Sequence, residues 1–337
     1  MKKNDFPAQP DKIGDKNRFA RHPMATISAV LLLALLLGFL SLELFLKTFS
    51  GLGNPVLYEL SPLYGYRPKP NQIIEPKGGM GFLYGSRVTT NNLGLRAAGK
   101  WDNNSSGKIL FLGDSVTYGG QYVSDEQLFS SVAGKSLPGW QIGNGGVNGW
   151  GIGNILGLVK SYGFTPAEIV VTCLIEEDFY RGKRSAWSVP FWYERPGSAL
   201  QDLLMHFVWR VNELRYDGAI ASVHEDDDHL DKIVNRASSR LQQLENYYKE
   251  KHIRHFIFIL PTRNQVVNGE PADERVRLAL EKYGITAKYL LPKLRAFEPA
   301  KSLRRNWFHD NVHLEPSGHS VYGTMLGKEL AAALGVN

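Results

Sequence analysis

One run decides the fold of this chain: Ile109-Leu110-Phe111-Leu112-Gly113-Asp114-Ser115-Val116-Thr117-Tyr118-Gly119. Its apolar half ends in Gly-Asp-Ser and a turn of small residues, which predicts a buried strand followed by a tight turn into a helix. A serine at the end of such a strand is an exposed potential nucleophile, and N–H groups at the start of the helix can stabilise negative charge. The alternative interpretation is a plain turn in which Ser115 caps the helix.

Two further motifs carry polar groups that suit catalysis. Asp310-Asn311-Val312-His313 places an acid and a base on one short loop far downstream. His313 would take the proton of Ser115, and Asp310 would fix the tautomer of His313, so the chain holds the parts of a serine hydrolase in the order Ser, Asp, His. Asn144-Gly145-Gly146-Val147-Asn148-Gly149 follows a short predicted strand, and a glycine N–H there can donate to an oxyanion or form a plain turn.

Short apolar runs alternate with helical stretches from residue 108 onward, which is typical of an open α/β sheet. The predicted strands are 108–112, 141–143, 168–174, 255–260 and, as a candidate fifth, 285–290. The predicted helices are 125–135, 230–251, 272–283 and 316–334. Residues 181–229 interrupt this alternation and are predicted to be an insertion over the carboxyl ends of the strands, where α/β sheets bind ligands.

Composition excludes several classes of protein. A hydrophobic content of 43% over 337 residues supports a large globular core. The net charge of +6 is spread without a basic stripe, which argues against nucleic-acid binding. Cys173 is the one cysteine and lies in an apolar run, so neither an internal disulfide nor a zinc site built from several cysteines is expected. We expect no metal and no cofactor.

The N-terminal region predicts a membrane anchor. Residues 24–46 are almost continuously apolar and long enough to span a bilayer as a helix. Lysines and arginines are concentrated before this stretch, so the positive-inside rule places residues 1–23 in the cytoplasm and the rest outside, in the periplasm if the membrane is a bacterial inner membrane. A cleaved signal peptide is the competing interpretation, disfavoured by the long apolar core and by the lack of an Ala-x-Ala-like site. Residues 47–107, rich in Gly, Pro and aromatics, are expected to pack on a main domain at 108–337.

The motifs together resemble the SGNH/GDSL hydrolase family, over residues 108–334. Thr89-Thr90-Asn91-Asn92-Leu93-Gly94-Leu95-Arg96 also resembles the lead-in of membrane-anchored bacterial members. The resemblance implies a flavodoxin-like three-layer α/β/α sandwich with a central parallel sheet, and ester hydrolysis. It implies that Ser115 is the nucleophile, His313 the base and Asp310 its orienting acid, with the N–H groups of Ser115 and Gly146 as oxyanion donors.

One motif departs from the family pattern. The family has Gly-x-Asn-Asp after its third strand, whereas this chain has Ile175-Glu176-Glu177-Asp178, with Glu177 where the oxyanion-binding Asn is expected. An ionised carboxylate cannot donate a hydrogen bond and would repel an oxyanion. Three interpretations stay open: Glu177 is protonated in a dry pocket, it points away, or Asn148 or another nearby amide substitutes for it.

The expected function is a membrane-anchored serine esterase that removes a short acyl group, most simply acetyl, from an envelope or exported polysaccharide. Its partners would be an acylated carbohydrate or other ester, the lipid bilayer and, as a further candidate, envelope polysaccharide machinery. The alternatives are an O-acyltransferase on the same polymers and a catalytically weak or inactive module that binds polysaccharide. An aromatic cluster is a candidate for stacking on sugar rings or for the core of the insertion: Trp187, Phe191, Trp192 and Tyr193.

Overall fold

The computed structural model describes residues 22–75, 85–101, 107–162, 167–184, 192–223, 227–298 and 300–336. Within-chain contacts divide the chain into two compact units, residues 1–45 and 46–337. Helix α1, Pro23–Phe49, begins in the first unit and is the one described helix that is long and apolar enough to cross a membrane. Length and composition alone support this, and a signal sequence would pass the same criterion.

The second unit is built on a parallel five-stranded sheet, as the sequence predicts. Its strands are β5 (Lys108–Gly113), β6 (Gln141–Gly146), β7 (Ile169–Leu174), β8 (Arg254–Ile259) and β9 (Ala287–Tyr289). Their spatial order is β6-β5-β7-β8-β9. The order reverses beside β5, and ligands bind at the carboxyl ends of the strands at such a reversal. The flavodoxin-like prediction is confirmed.

Helices cover both faces of this sheet because the side chains of each strand alternate between two cores. Helices α3 (Phe129–Gly134) and α10 (Pro316–Leu334) cover one face, and helices α4 (Ile152–Tyr162), α6 (Asp227–Glu250) and α7 (Glu274–Lys282) cover the other. In β5, Ile109 and Phe111 face the core that includes α3 and α10, whereas Leu110 and Leu112 face the core that includes α4, α6 and α7. The remaining helices are α2 (Ser115–Tyr118), α5 (Ala199–Val223), α8 (Leu291–Phe297) and α9 (Lys301–Arg305).

The segment between α1 and the sheet is part of the second unit. It forms two antiparallel pairs of short strands, β1 (Tyr58–Ser61) with β2 (Gly65–Pro68) and β3 (Ile73–Ile74) with β4 (Val88–Thr89). Its apolar side chains, Tyr66 and Trp101 among them, belong to the core that includes α4. An antiparallel bridge joins Arg96 to Asn144 of β6, so this segment is attached directly to the edge of the sheet.

Predicted and observed helices differ in several places, and the short helices α8 and α9 are among those that were not predicted. The predicted helix 125–135 is a 3-10 turn, Asp125–Gln127, followed by α3. Helix α4 was not predicted, because its glycines and asparagine have low helix propensity. It forms because Ile155, Leu158 and Val159 are buried in the core.

Candidate active site

Ser115, His313 and Asp310 meet in one chain of hydrogen bonds. The Oγ of Ser115 lies 2.8 Å from Nε2 of His313, and Nδ1 of His313 lies 2.6 Å from Oδ2 of Asp310. This is the connectivity of a nucleophile, a base and an orienting acid. The side chains of His313 and Asp310 are 31% and 49% exposed, so the triad lies at the surface.

Local structure explains why these side chains meet. Ser115 is the first residue after the N-cap Asp114, directly beyond the end of β5. The acid–base loop is held at the same edge of the sheet by the residues that follow β8, because the N–H of Arg263 donates to the carbonyl of Asn311 at 2.7 Å. Within the loop, Oδ1 of Asp310 accepts the N–H of His313 at 2.7 Å, which fixes the acid beside the base.

Electrostatics tune the base toward its protonated form. Burial lowers the pKa of His313, but the hydrogen bond and charge of Asp310 outweigh this effect, and the net pKa is raised above its usual 6.5. Burial alone would raise the pKa of Asp310, whereas its bonds to His313 and the charge of that residue leave it below its usual value. Asp310 is therefore an ionised acceptor throughout the neutral range.

The backbone donors available for an oxyanion are not all those expected. The N–H of Ser115 has no hydrogen-bond partner among the described residues. The N–H of Gly146, in contrast, donates to Oδ1 of Asn144 at 2.9 Å, so it would have to give up a buried bond. A side chain at Gly146 would also collide with the backbone of Thr117 and Tyr118, which explains the glycine as a close contact between β6 and α2.

Gly149 is the next glycine beyond β6, and sequence reasoning did not assign it a role. It has a positive φ of 72°, and its N–H is unpartnered within the described part of the chain. Asn148 accepts a hydrogen bond from Oη of Tyr66 on its carbonyl at 2.7 Å. The Asn148 side chain makes no hydrogen bond to any described residue.

Glu177 follows β7 in a 3-10 turn, and its carboxyl group is largely buried. Its Oε2 is inaccessible to solvent and has no hydrogen-bond partner among the described residues. Burial, with the charges of Asp114 and Asp273, raises the pKa of Glu177 above the usual 4.5, against the opposing effect of Arg181. The neutral, hydrogen-bond-donating form is therefore favoured relative to an exposed glutamate.

A buried ion cluster fixes the position of Asp114, the residue directly before Ser115. Nη1 of Arg181 lies 2.8 Å from a carboxylate oxygen of Asp114 and 2.8 Å from one of Asp178, and both aspartates are almost fully buried. Asp114 also accepts the N–H of Val116 at 2.8 Å as the cap of α2. Burial and the charge of Asp114 raise the pKa of Asp178. Sequence reasoning missed Arg181, because no neighbouring residue indicates that it pairs with carboxylates at the ends of two different strands, Asp114 after β5 and Asp178 after β7.

The aromatic candidates are not placed at the triad by any described contact. Trp187 and Phe191 lie outside the described residues. Trp192 donates from Nε1 to Asp202 in the first turn of α5 at 2.7 Å, and its carbonyl accepts the N–H of Tyr58. The carbonyl of Tyr193 accepts from Nζ of Lys69. These contacts suit packing of the insertion on β1.

Among the described residues, no cluster of three or more His, Cys, Asp or Glu side chains has the arrangement of a metal site. Cys173 is buried in the core with Phe111, and burial raises the pKa of its thiol, so it is an inert core residue.

Comparison with known proteins gives structural relatives only. No protein-family model and no curated protein matches the chain. An acetyl xylan esterase is 12% identical, with a TM-score of 0.42 over 66% of this chain and 99% of its own. A mutant acetyl-xylooligosaccharide esterase from Geobacillus Stearmophilus is 13% identical, with a TM-score of 0.42 over 68% and 96%.

A third solved structure belongs to the family that the sequence motifs resemble. It is a member of the lipolytic protein G-D-S-L family from Veillonella parvula, 12% identical, with a TM-score of 0.37 over 65% of this chain and 96% of its own. The chain is thus similar in structure to a member of that family, on a fold that its own parallel sheet establishes.

Proposed function

We propose that this protein is a serine esterase that removes a short acyl group, most simply acetyl, from a polysaccharide of the cell envelope. The observation that carries the proposal is the hydrogen-bonded chain from Ser115 through His313 to Asp310, with both heavy-atom distances below 3 Å. Because the triad is half exposed, it can be reached by an ester group carried on a large polymer.

In the proposed reaction, Oγ of Ser115 attacks the ester carbonyl while its proton passes to Nε2 of His313. The tetrahedral oxyanion is held by the N–H groups of Ser115 and Gly149, and the carboxyl of Glu177 adds a third donor when it is protonated. His313 then returns the proton to the departing sugar oxygen, which leaves an acyl-enzyme. Water attacks this ester with His313 again as the base, releasing the carboxylic acid and restoring Ser115.

We further propose that α1 is an uncleaved membrane span with a cytoplasmic N-terminus and an external catalytic unit. The apolar length of α1 and the basic residues before it support this arrangement. Leu46 and Leu52, at and just beyond the end of α1, are buried against Ala199. The end of the span is therefore built into the catalytic unit, as an anchor would be. This position beside the membrane is the reason for choosing envelope or exported polymers as substrates.

The test is hydrolysis of aryl acetates and longer acyl esters by the detergent-solubilised full-length chain. We expect acetate turnover that falls on the order of 10⁴-fold or more in Ser115→Ala. Ser320→Ala, on the exposed surface of α10, is the matched control and should retain turnover. A fluorophosphonate should label the wild type and not Ser115→Ala.

Two other outcomes would replace the proposal. Labelling of Ser115 without hydrolysis, together with acyl transfer to an added sugar, would make the protein an O-acyltransferase. If the folded protein shows neither labelling nor hydrolysis, the remaining alternative is a module that binds polysaccharide without catalysis.

A further inference from the structure

Helix α5 exposes one apolar face. Leu204 is 57% exposed and Phe207 68% exposed, and Leu203 and Val208 are also open to solvent. Residues at these spacings lie on the same side of a helix. Such a continuous apolar face is uncommon on the surface of a water-soluble unit and marks an interaction site.

The opposite side of α5 is firmly packed, so the exposed face does not result from a detached helix. Trp209, on the side opposite the exposed face, packs against the main core, and Ala199 is buried at the start of the helix. Asp202 is fully buried in the first turn, where its carboxylate accepts the N–H of Gly53 at 2.9 Å and Nε1 of Trp192 at 2.7 Å. The orientation of α5 is therefore fixed, and with it the outward direction of the apolar face.

The first turn of α5 lies at the end of the proposed membrane span. Leu46, in the last turn of α1, is buried with Leu52 and Ala199 in one small apolar cluster. If α1 spans the bilayer, its last turn lies at the membrane surface, and so does the start of α5. Phe207 is eight residues beyond Ala199, or about 12 Å along the helix axis. The exposed face thus begins within one to two helical turns of the buried cluster at the end of α1.

We propose that the exposed apolar face of α5, formed by Leu203, Leu204, Phe207 and Val208, lies in the boundary between lipid headgroups and acyl chains of the membrane that α1 enters. An exposed row of leucine, phenylalanine and valine side chains binds at this boundary because their apolar area is removed from water there. Exposed Tyr193 and Arg195, just before α5, are residue types that favour the headgroup region. The inference rests on the proposed membrane anchor and is independent of the proposed hydrolysis. It makes the catalytic unit bind the bilayer at two places.

The experiment measures lipid contact at single positions in the full-length chain. Cys173 is buried and is the one native cysteine, so a fluorophore can be attached at an introduced cysteine. The test positions are Leu204→Cys and Phe207→Cys. The matched control is Leu278→Cys, at a leucine of α7 that is 51% exposed. Leu35→Cys in α1 reports insertion of the span. Each variant is reconstituted in phosphatidylethanolamine–phosphatidylglycerol vesicles with a nitroxide quencher near the top of the acyl chains.

We expect the labels at residues 204 and 207 to be quenched several-fold more than the label at residue 278 and to show a blue-shifted emission. Equal, weak quenching at all three positions, with strong quenching at residue 35, would overturn the lipid-bound face. Cross-linking between copies at residue 207 would then identify a second chain as the occupant. No quenching at residue 35 would refute the anchor and this inference together, while aryl acetate turnover by the same preparation would still report on the hydrolase.

Discussion

At the scale of single residues, the site depends on how the surroundings of each ionisable side chain set its protonation. In the proposed reaction, His313 must be neutral to accept the proton of Ser115, yet Asp310 raises the pKa of His313 above 6.5. Activity should therefore fall as the pH decreases through this raised pKa, so the acid limb of the pH profile should lie above pH 6.5.

The Asp310→Asn variant tests whether Asp310, by raising the pKa of His313, sets the pH below which activity is lost. The amide removes the negative charge that raises the pKa of His313. It can preserve the loop conformation because its Oδ1 can still accept hydrogen bonds from the N–H groups of Val312 and His313. We expect kcat/KM to fall by about 10³–10⁴ and the acid limb of its pH profile to move to lower pH. His309→Gln, in the same loop but bonded to Glu315, is the control and should leave the limb in place. An unmoved limb in Asp310→Asn would contradict the assignment.

Glu177 predicts a second pH dependence, separate from that of His313. A carboxyl group donates a hydrogen bond only below its pKa, so the wild type should lose activity as the pH rises through the pKa of Glu177. Glu177→Gln keeps a donor at every pH, and its kcat/KM should exceed that of the wild type by on the order of 10² at high pH. Glu176→Gln is the matched control at the neighbouring residue, because the Glu176 carboxylate instead accepts from the side-chain amide of Gln265 and from the backbone N–H of Asp273. Parallel profiles for the wild type and Glu177→Gln would exclude Glu177 as a donor.

At the scale of elements, one buried arginine joins the N-terminal segment to the loop after the nucleophile. Arg96 is 1% exposed, and its guanidinium donates to the carbonyls of Tyr118 and Val123 and to the carboxylate of Asp125. The N–H of Thr89 in β4 also donates to that carboxylate, at 2.8 Å. The loop that leaves the short helix α2 is thus held by the segment that precedes the sheet.

Arg96→Met should destabilise the protein strongly. It leaves the Asp125 carboxylate and several carbonyls without their buried partner, and breaking such a pair costs about 3–5 kcal/mol of unfolding free energy. Arg87→Met is the matched control, because Arg87 is half exposed and pairs with exposed Glu75, and it should cost less than about 1 kcal/mol. Urea denaturation of both solubilised variants gives the comparison. Equal losses would show that the Arg96 cluster is no more than a surface contact.

At the scale of the whole molecule, sequence reasoning succeeds where the signal is local. Helix α10 begins at Pro316 and ends before Gly335 as predicted, because proline suits the first turn of a helix and glycine its end. Strand β5 and the acid–base loop are likewise marked by a few adjacent residues. A serine, an acid and a base with such local signals can be selected from the sequence before their distances are known.

The remaining features depend on contacts between distant residues. The N–H of Gly146 donates to the side chain of Asn144, which the sequence does not reveal. The sequence therefore could not show that Gly149, rather than Gly146, has the unpaired N–H among the described residues. The pairing of Arg181 with Asp114 requires two strands to end at the same edge of the sheet. Similarly, the apolar residues of α5 are visible in the sequence, but only Asp202 and Trp209 in their packed positions show which face of that helix is left outside.

The attachment of residues 46–101 to the sheet has a consequence for how such proteins can recombine. A crossover at residue 107, at the edge of the α/β/α fold, would separate Arg96 from the carbonyls it holds and Trp101 from its core. A crossover on the amino-terminal side of Leu46 would exchange the apolar N-terminal helix for another segment and leave those contacts intact. The segment that must be inherited together is therefore residues 46–337, which is longer than the α/β/α fold that begins at residue 108.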